Sequence, residues 1–223
     1  NTTDWVYIKS AEDIKKNNHL LPGILKSNTL GYDGKGQYIL SSLNDINQDW
    51  CFTSDYILEK KVNLKKEISV VIARYRDGTL SYYEPSENVH KNQILYKSKI
   101  PADINQKFFE QAIYYAKKII ENFSYVGVLT VEYFITETDE LLVNELAPRF
   151  HNSGHLTIEA FNISQFENHV RAVCNLKSNP VEKISNAEMY NVLGFEIQEY
   201  KKRIFKKNEF FYDYLKKKPR EGR

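Results

Sequence analysis

Two apolar runs, residues 126–135 and 141–146, have the hydrophilic Glu137-Thr138-Asp139-Glu140 between them. Short runs rich in β-branched and aromatic residues read as strands, and so brief a polar link makes them a hairpin. Each run carries one carboxylate, Glu132 in the first and Glu145 in the second. A turn centred on Thr138-Asp139 sets the two directly opposite on one face, with Cβ atoms about 5 Å apart. Like charges so placed repel unless a cation lies between them. Carboxylates beside the Asn144 amide suit Mg2+, which keeps waters and completes its shell with substrate phosphate oxygens. The plainer reading is a solvated sheet face, and a one-residue slip would remove the pairing.

The rest of the chain sets this hairpin among other strands. Residues 23–26, 37–40, 55–62, 67–74 and 79–83 read as strands, and Asp77-Gly78 is a hairpin turn between the last two. A short helix is expected at 11–16 and a second at 163–175. The clearest helix is 103–122, where Ile104, Phe108, Ala112, Ala116 and Ile119 share one face. Pro101 precedes it, and Asp103 with Gln106 has capping-box spacing. After Ser178 the composition changes: a strand is expected at 189–197, then Lys-rich sequence and another short strand. The fold class is α+β, with one domain over 1–180 and part of a second over 181–223, the boundary falling near 178–188.

Composition narrows the function. The 223 residues carry 31 basic and 29 acidic side chains, a net charge of +2, which makes no electrostatic case for nucleic acid or a membrane surface. A hydrophobic fraction of 42% excludes general disorder. Cys51 and Cys174 are too few for a disulfide scaffold and fit a reducing compartment. No stretch approaches the roughly 20 apolar residues of a membrane span, and no signal peptide opens the chain. It begins at Asn1 and ends at Arg223 after Gly222, so both ends read as cuts.

Two further constellations carry chemistry. Gly31, Gly34 and Gly36 interrupt two strands, with Lys26 before them and Lys35 among them. Glycines let backbone N–H groups approach phosphate oxygens closely. Lys35 is followed by Gly36 rather than Ser or Thr, so this is no P-loop, and a strand rather than a helix follows, so it is no Rossmann turn. A glycine hairpin over nucleotide phosphates fits; an ordinary turn is the bland alternative. Past Glu145, Arg149, His151, Asn152, Ser153 and His155 crowd one loop, a donor density that suits an oxyanion or phosphate site or else a hydrogen-bonded loop. His90 stands alone in a polar segment. His19 and His169 read as surface or packing residues, and neither cysteine has a paired base.

Gly31-Tyr32-Asp33-Gly34-Lys35-Gly36-Gln37, Glu87-Asn88-Val89-His90, Asn144-Glu145-Leu146-Ala147-Pro148-Arg149, His151-Asn152-Ser153-Gly154-His155 and Ile163-Ser164-Gln165-Phe166-Glu167 resemble one family over nearly the whole chain. That family is 5-(carboxyamino)imidazole ribonucleotide synthase, an ATP-grasp ligase of purine biosynthesis. The resemblance implies the ATP-grasp fold, ATP and Mg2+, and bicarbonate as co-substrate. It implies carboxylation of aminoimidazole ribonucleotide through carboxyphosphate in a cytoplasmic homodimer. It places Lys26 and Lys35 on ATP phosphates, with Gly31, Tyr32, Asp33, Gly34, Gly36 and Gln37 in the covering turn. Glu59, Lys60, Lys61 and Val62 become the adenine hinge, Glu67 the ribose contact, and His90 and Asn144 further nucleotide contacts. Glu132 and Glu145 carry the metal. Tyr32, Arg149, His151, Asn152 and Ser153 surround bicarbonate and the ribonucleotide, and Arg149, His151, Asn152 and Lys35 are the catalytic candidates. Lys217, Arg220 and Arg223 fall in a basic motif that holds the ribonucleotide phosphate. The family's N-terminal nucleotide-fold domain has no counterpart here. Another ATP-grasp carboxylate ligase and a non-catalytic nucleotide-binding module are the alternatives.

Overall fold

The computed structural model describes residues 1–27, 36–47, 55–194 and 196–214. Among the expected site residues, Gly31, Tyr32, Asp33, Gly34, Lys35, Lys217, Arg220 and Arg223 lie outside this set, as does Cys51. Along the chain run β1 (Trp5–Ile8), α1 (Ala11–Lys16), β2 (Gly23–Ser27), β3 (Gln37–Leu40), β4 (Tyr56–Lys60), β5 (Leu64–Arg74), β6 (Leu80–Tyr82), β7 (Ser86–Lys91) and β8 (Ile94–Ile100). There follow α2 (Gln106–Asn122), β9 (Gly127–Thr136), β10 (Leu141–Ala147), α3 (Thr157–Ala160), α4 (Gln165–Val173), β11 (Ala187–Tyr190) and α5 (Glu196–Tyr200).

The strands form two antiparallel sheets. The smaller has the order β1-β4-β2-β3. Strand alternation gives it one apolar face, where Ile8, Leu25, Leu40 and Leu58 pack with Ile14 of α1 and with Leu20. Its other face carries Lys26 and Glu59 among Trp5, Tyr7, Ile24 and Ile57. The larger sheet runs β10-β9-β5-β7-β8-β11, with β6 beside β5.

The two faces of the large sheet differ in kind. Ile68, Val70 and Ile72 of β5 and Leu129, Val131, Tyr133 and Ile135 of β9 lie against α2. The opposite face is apolar at one end, where Val71, Ala73 and Val128 meet Leu156, Ala160, Phe161 and Ala172. Further along, the same face carries Glu67, Ser69 and Glu132, with Ser69 and Glu132 direct partners. A period of two that puts Val71 and Ala73 in the core also puts Ser69 and Glu67 in line with them. A face that turns from apolar to polar along its strands is where a site can sit.

Several expectations are corrected. Helix α2 is capped by Asn105, whose side chain accepts the Phe108 N–H, while Asp103 pairs with Lys66 at 2.8 Å. With the start moved, the buried stripe is Phe108, Ala112, Ile113, Ala116 and Ile120, and Ile104 and Ile119 sit at its margin. Residues 189–197 are not one strand: β11 ends at Tyr190, Gly194 turns the chain with φ +59°, and α5 follows. No further strand follows among the described residues. Strands β1, β7 and β8 were not expected. Among the described residues no helix is long and apolar enough to cross a membrane.

Candidate active site

The hairpin of β9 and β10 brings Glu132 and Glu145 together as Cα partners, but by a different route from the expected one. Its loop has three residues: Thr136 N–H donates to Glu140 O at 3.0 Å, and Asp139 adopts φ +57°. Asp tolerates this left-handed conformation. The pairs next to the turn, Leu141–Ile135 and Val143–Tyr133, are therefore one residue out from a turn centred on Thr138-Asp139. A bulge between Val143 and Glu145 inserts Asn144 and restores the offset. Bulges commonly re-aim a side chain beside a site. Here the Asn144 amide turns to Glu132, Nδ2 lying 3.5 Å from Oε2.

Glu132 is mostly withdrawn from solvent, its side chain 13% exposed. Burial alone raises its carboxyl, but the hydrogen bond from His151 and the electrostatic attraction of the His151 and His90 rings outweigh that and hold it below its ordinary value. The contact is short: His151 Nε2 lies 2.9 Å from Glu132 Oε1. On the neighbouring strands, His90 Nδ1 lies 2.6 Å from Glu67 Oε2. Burial works against a charged His90, yet Glu67, Glu132 and Glu145 together raise its affinity for a proton. These carboxylates thus act on one region, with two imidazoles in direct contact with them.

The donor set fits a hard divalent cation. Glu132, Glu145 and the Asn144 amide offer oxygens only. Among the described residues no group of three or more His, Cys, Asp and Glu side chains could hold a metal. Two carboxylates without a third protein ligand is how Mg2+ is held when a nucleotide supplies the rest.

The loop after β10 packs behind this pair. His151 is clamped through its backbone: its N–H donates to Gln165 Oε1 at 3.1 Å, and Gln165 Nε2 donates to its carbonyl at 2.8 Å. Gln165 is fully buried at the start of α4, and its own N–H donates to Thr157 Oγ1 at 2.9 Å. Ser153 is 1% exposed, its hydroxyl held between Ser69 and His151, so its place is behind His151 and not against a substrate. Asn152 Oδ1 is buried without a partner among the described residues. Arg149 is exposed and bonds the Phe150 carbonyl at 2.8 Å. His155 packs between the rings of Phe166 and Tyr214, and burial lowers its proton affinity.

The small sheet supplies the remaining expected contacts. Lys26 and Glu59 form an ion pair at 2.6 Å on the face opposite the core. Gln37 pairs with Lys26, and Ser27 N–H donates to Gly36 O at 2.9 Å, so a hairpin flanks the glycine-rich segment on both sides. In the link from β4 to β5, Lys60 N–H donates to Asp4 O and Lys61 N–H to Pro22 O, both at 2.9 Å. Val62 N–H makes no backbone bond among the described residues. Residues not anticipated individually are Ser69, Ser86, Asn88, Ser98 and Thr157, all buried and polar. The signal for Ser86 and Asn88 is polar residues at alternate positions of one segment; Thr157, on α3, gives no such signal.

Comparison with known proteins agrees with this geometry. A model of the ATP-grasp domain matches residues 1–166. The N5-carboxyaminoimidazole ribonucleotide synthase of Brucella melitensis is 42% identical over 205 residues, covering 90% of this chain and 57% of the relative. The Bacillus subtilis enzyme of the same name is 41% identical over 180 residues, covering 80% of this chain and 47% of its own. Among solved structures, the N5-carboxyaminoimidazole synthetase of Staphylococcus aureus complexed with ADP superposes with a TM-score of 0.82 at 37% identity, covering 88% of this chain and 54% of that one. The Aspergillus clavatus synthase in complex with ADP and 5-aminoimidazole ribonucleotide has a TM-score of 0.81 at 26% identity, covering 90% and 56%. The chain thus spans about half the length of the relatives it matches. With the domain model matched over most of its length and the fold shared with these structures, the chain belongs to the ATP-grasp family.

Proposed function

We propose that this chain is the nucleotide- and metal-binding core of a 5-(carboxyamino)imidazole ribonucleotide synthase. In that reaction an oxygen of bicarbonate attacks the γ-phosphorus of ATP, the bond to the β-phosphate oxygen breaks, and ADP leaves. The product is carboxyphosphate. The exocyclic amine of aminoimidazole ribonucleotide then bonds to the carboxyl carbon, or to CO2 released from it. Inorganic phosphate departs and the amine loses a proton. Carboxyphosphate must be kept from water until the amine arrives.

The residues divide this work. Lys26 and Lys35 neutralise phosphate oxygens, which requires Lys26 to exchange Glu59 for the nucleotide. The link from Glu59 to Val62, with Lys60 and Lys61, receives the adenine, and Val62 N–H, which makes no backbone bond among the described residues, is its donor. Glu67 and His90 stand where ribose hydroxyls can be held. Glu132 and Glu145, with Asn144, would hold Mg2+, which when bound neutralises charge on the transferring phosphate. Arg149 and Asn152 face the bicarbonate, and His151 is fixed beside Glu132. Tyr32 and the covering turn exclude water, while Lys217, Arg220 and Arg223 hold the ribonucleotide phosphate. Cytoplasmic location and a homodimer belong to the same reading.

The pairing of Glu132 with Glu145, with His151 on Glu132, carries this conclusion. The likeness to synthases over nine-tenths of the chain gives the choice of substrate its support. The test is phosphate release from ATP by the natural full-length protein, with bicarbonate and aminoimidazole ribonucleotide present together. Release that needs a different carboxylate and ignores the ribonucleotide overturns the reading. The 223-residue chain by itself should bind Mg·ATP weakly, in calorimetry, and form no carboxylated product. A ligand held from one side loses burial and contacts together.

A further inference from the structure

A continuous line of buried hydrogen bonds crosses the large sheet behind the candidate metal pair. Ser98 Oγ on β8 lies 2.7 Å from Asn88 Oδ1 on β7, and Asn88 Nδ2 donates to Ser69 Oγ on β5 at 2.9 Å. Ser69 Oγ lies 2.7 Å from Ser153 Oγ, and Ser153 Oγ lies 2.8 Å from His151 Nδ1. All four residues before His151 are buried, Ser98 completely. All are withdrawn from solvent, where apolar side chains would pack as well, so packing alone gives no reason for four polar side chains there. Their donors and acceptors, however, match in only one order.

The order is set at the imidazole. Ser153 N–H, which can only donate, points at His151 Nδ1 at 3.3 Å. Nδ1 must therefore be the unprotonated nitrogen, and the ring proton sits on Nε2, facing Glu132 Oε1. A hydroxyl oxygen 2.8 Å from that same lone pair must donate too, so Ser153 spends its proton on Nδ1. Its oxygen then has to accept from Ser69, whose own oxygen accepts from Asn88 and from Ser86, the Ser86 hydroxyl lying 2.8 Å away. Turning the Asn88 amide over would take the Ser69 proton away from Ser153 and leave two oxygens facing each other without a hydrogen. The whole line therefore runs one way, from Ser98 to Glu132.

We propose that Ser98, Asn88, Ser69 and Ser153 are positioning residues that lock His151 as the Nε2–H donor and so hold Oε1 of Glu132, leaving Oε2, which Asn144 Nδ2 approaches only at 3.5 Å, for the cation. Hydrogen bonds in such a chain polarise one another, so the last link is strengthened by those behind it. Partners of this kind fix the orientation of a metal-binding side chain and tune its affinity. The orientation of His151 stands without any assignment of substrate; its effect on the cation rests on the proposed function.

The experiment uses the whole chain with 15N-labelled histidine and no nucleotide, the His151 signals being identified by their loss in His151→Phe. In the wild type, Nδ1 should show the shift of a hydrogen-bonded, unprotonated nitrogen, and Nε2 should carry the proton. Ser153→Ala should move the Nδ1 shift toward the value of a free nitrogen. Ser69→Ala should move it part of the way with Ser153 still present, and Ser69→Thr, which keeps the hydroxyl, should restore it. A proton on Nδ1 in the wild type, or a Nδ1 shift indifferent to Ser69→Ala, overturns the proposal. Circular dichroism confirms that each variant is folded; if Ser69→Ala is not, Ser98→Ala provides the same test further up the line. In parallel, Mg·ATP affinity by calorimetry should fall about 10- to 100-fold in His151→Phe and by a smaller factor in Ser69→Ala. If Mg·ATP fails to bind even the wild type while the nitrogen shifts respond as expected, the line of bonds stands and the metal reading fails. Binding that is unchanged across the variants overturns the effect on the cation.

Discussion

Gly154→Ala should destabilise the protein by striking the group that holds His151. An ideal Cβ at residue 154 would lie 2.3 Å from Gln165 Oε1, 2.7 Å from its Cδ and 3.0 Å from its Nε2. Contact distances for such atoms are nearer 3.5 Å, so the amide must move by about 1 Å. The end of a glutamine side chain is ordinarily free to do so. This one is fully buried, and both of its polar ends are bonded to the His151 backbone. Moving it leaves buried donors and acceptors unpaired, at about 1–3 kcal/mol each before relaxation. Overpacking alone typically costs about 1–3 kcal/mol. A total near 3 kcal/mol follows once partial relaxation is allowed. For a chain of this length that lowers Tm by roughly 6–12 °C. Urea and thermal melts of wild type, Gly154→Ala, Gln165→Ala and the double variant give the test as a double-mutant cycle. If the clash is with Gln165, the alanine at 154 becomes cheap once Gln165 is truncated, and the coupling exceeds about 1 kcal/mol. A Gly154→Ala cost below about 0.5 kcal/mol, or an equal cost in both backgrounds, refutes the reasoning.

Gly127→Ala should also destabilise, by about 2 kcal/mol or more in urea melts. Gly127 has φ +121°, and a Cβ there meets His169 Cε1 at 2.9 Å, on the ring that accepts the Val128 N–H. Asn168→Ala should cost about 2–4 kcal/mol by the same measurement, because Tyr75, Tyr83 and Ser81 all bond its side chain inside the core. Pairing with Tyr75→Phe should reveal coupling, and additive costs would count against a shared network. For pH, His90 has a folded-state pKa raised above 6.5, so its stabilisation is complete below that value and lost as pH rises through the folded one. Glu132 has the opposite sign: its pKa is lowered from 4.5, so its stabilisation is present above 4.5 and lost as pH falls through the folded value. Stability of the nucleotide-free chain should thus decline as pH rises above 6.5, and His90→Gln should flatten that limb; an unchanged limb refutes the His90 assignment.

Where side chains serve the core, sequence periodicity locates the elements. Phe108, Ala112 and Ala116 mark α2 because one stripe of that helix lies on the sheet. Strands β7 and β8 escaped because Ser86, Asn88 and Ser98 occupy the inward positions that Val or Ile would fill in a strand serving the core alone. Their polarity reads as a loop until the line of bonds to His151 explains why polar groups are buried there. The hairpin makes the same point from the other direction. A two-residue turn without a bulge and a three-residue loop with a bulge at Asn144 predict different partners for Val143, yet the same partner for Glu145. The expected turn was wrong and the expected pairing was right, because two errors of one residue cancel. The bulge does more than cancel the offset: it adds the residue whose amide reaches Glu132. An unbulged hairpin could pair the glutamates, but it would not insert an extra amide beside them. Local sequence cannot reveal that insertion, since nothing in a run of apolar residues marks where one will be left unpaired. The chemistry of the site can, because two glutamates paired across neighbouring strands, one of them largely buried, need a reason to remain there.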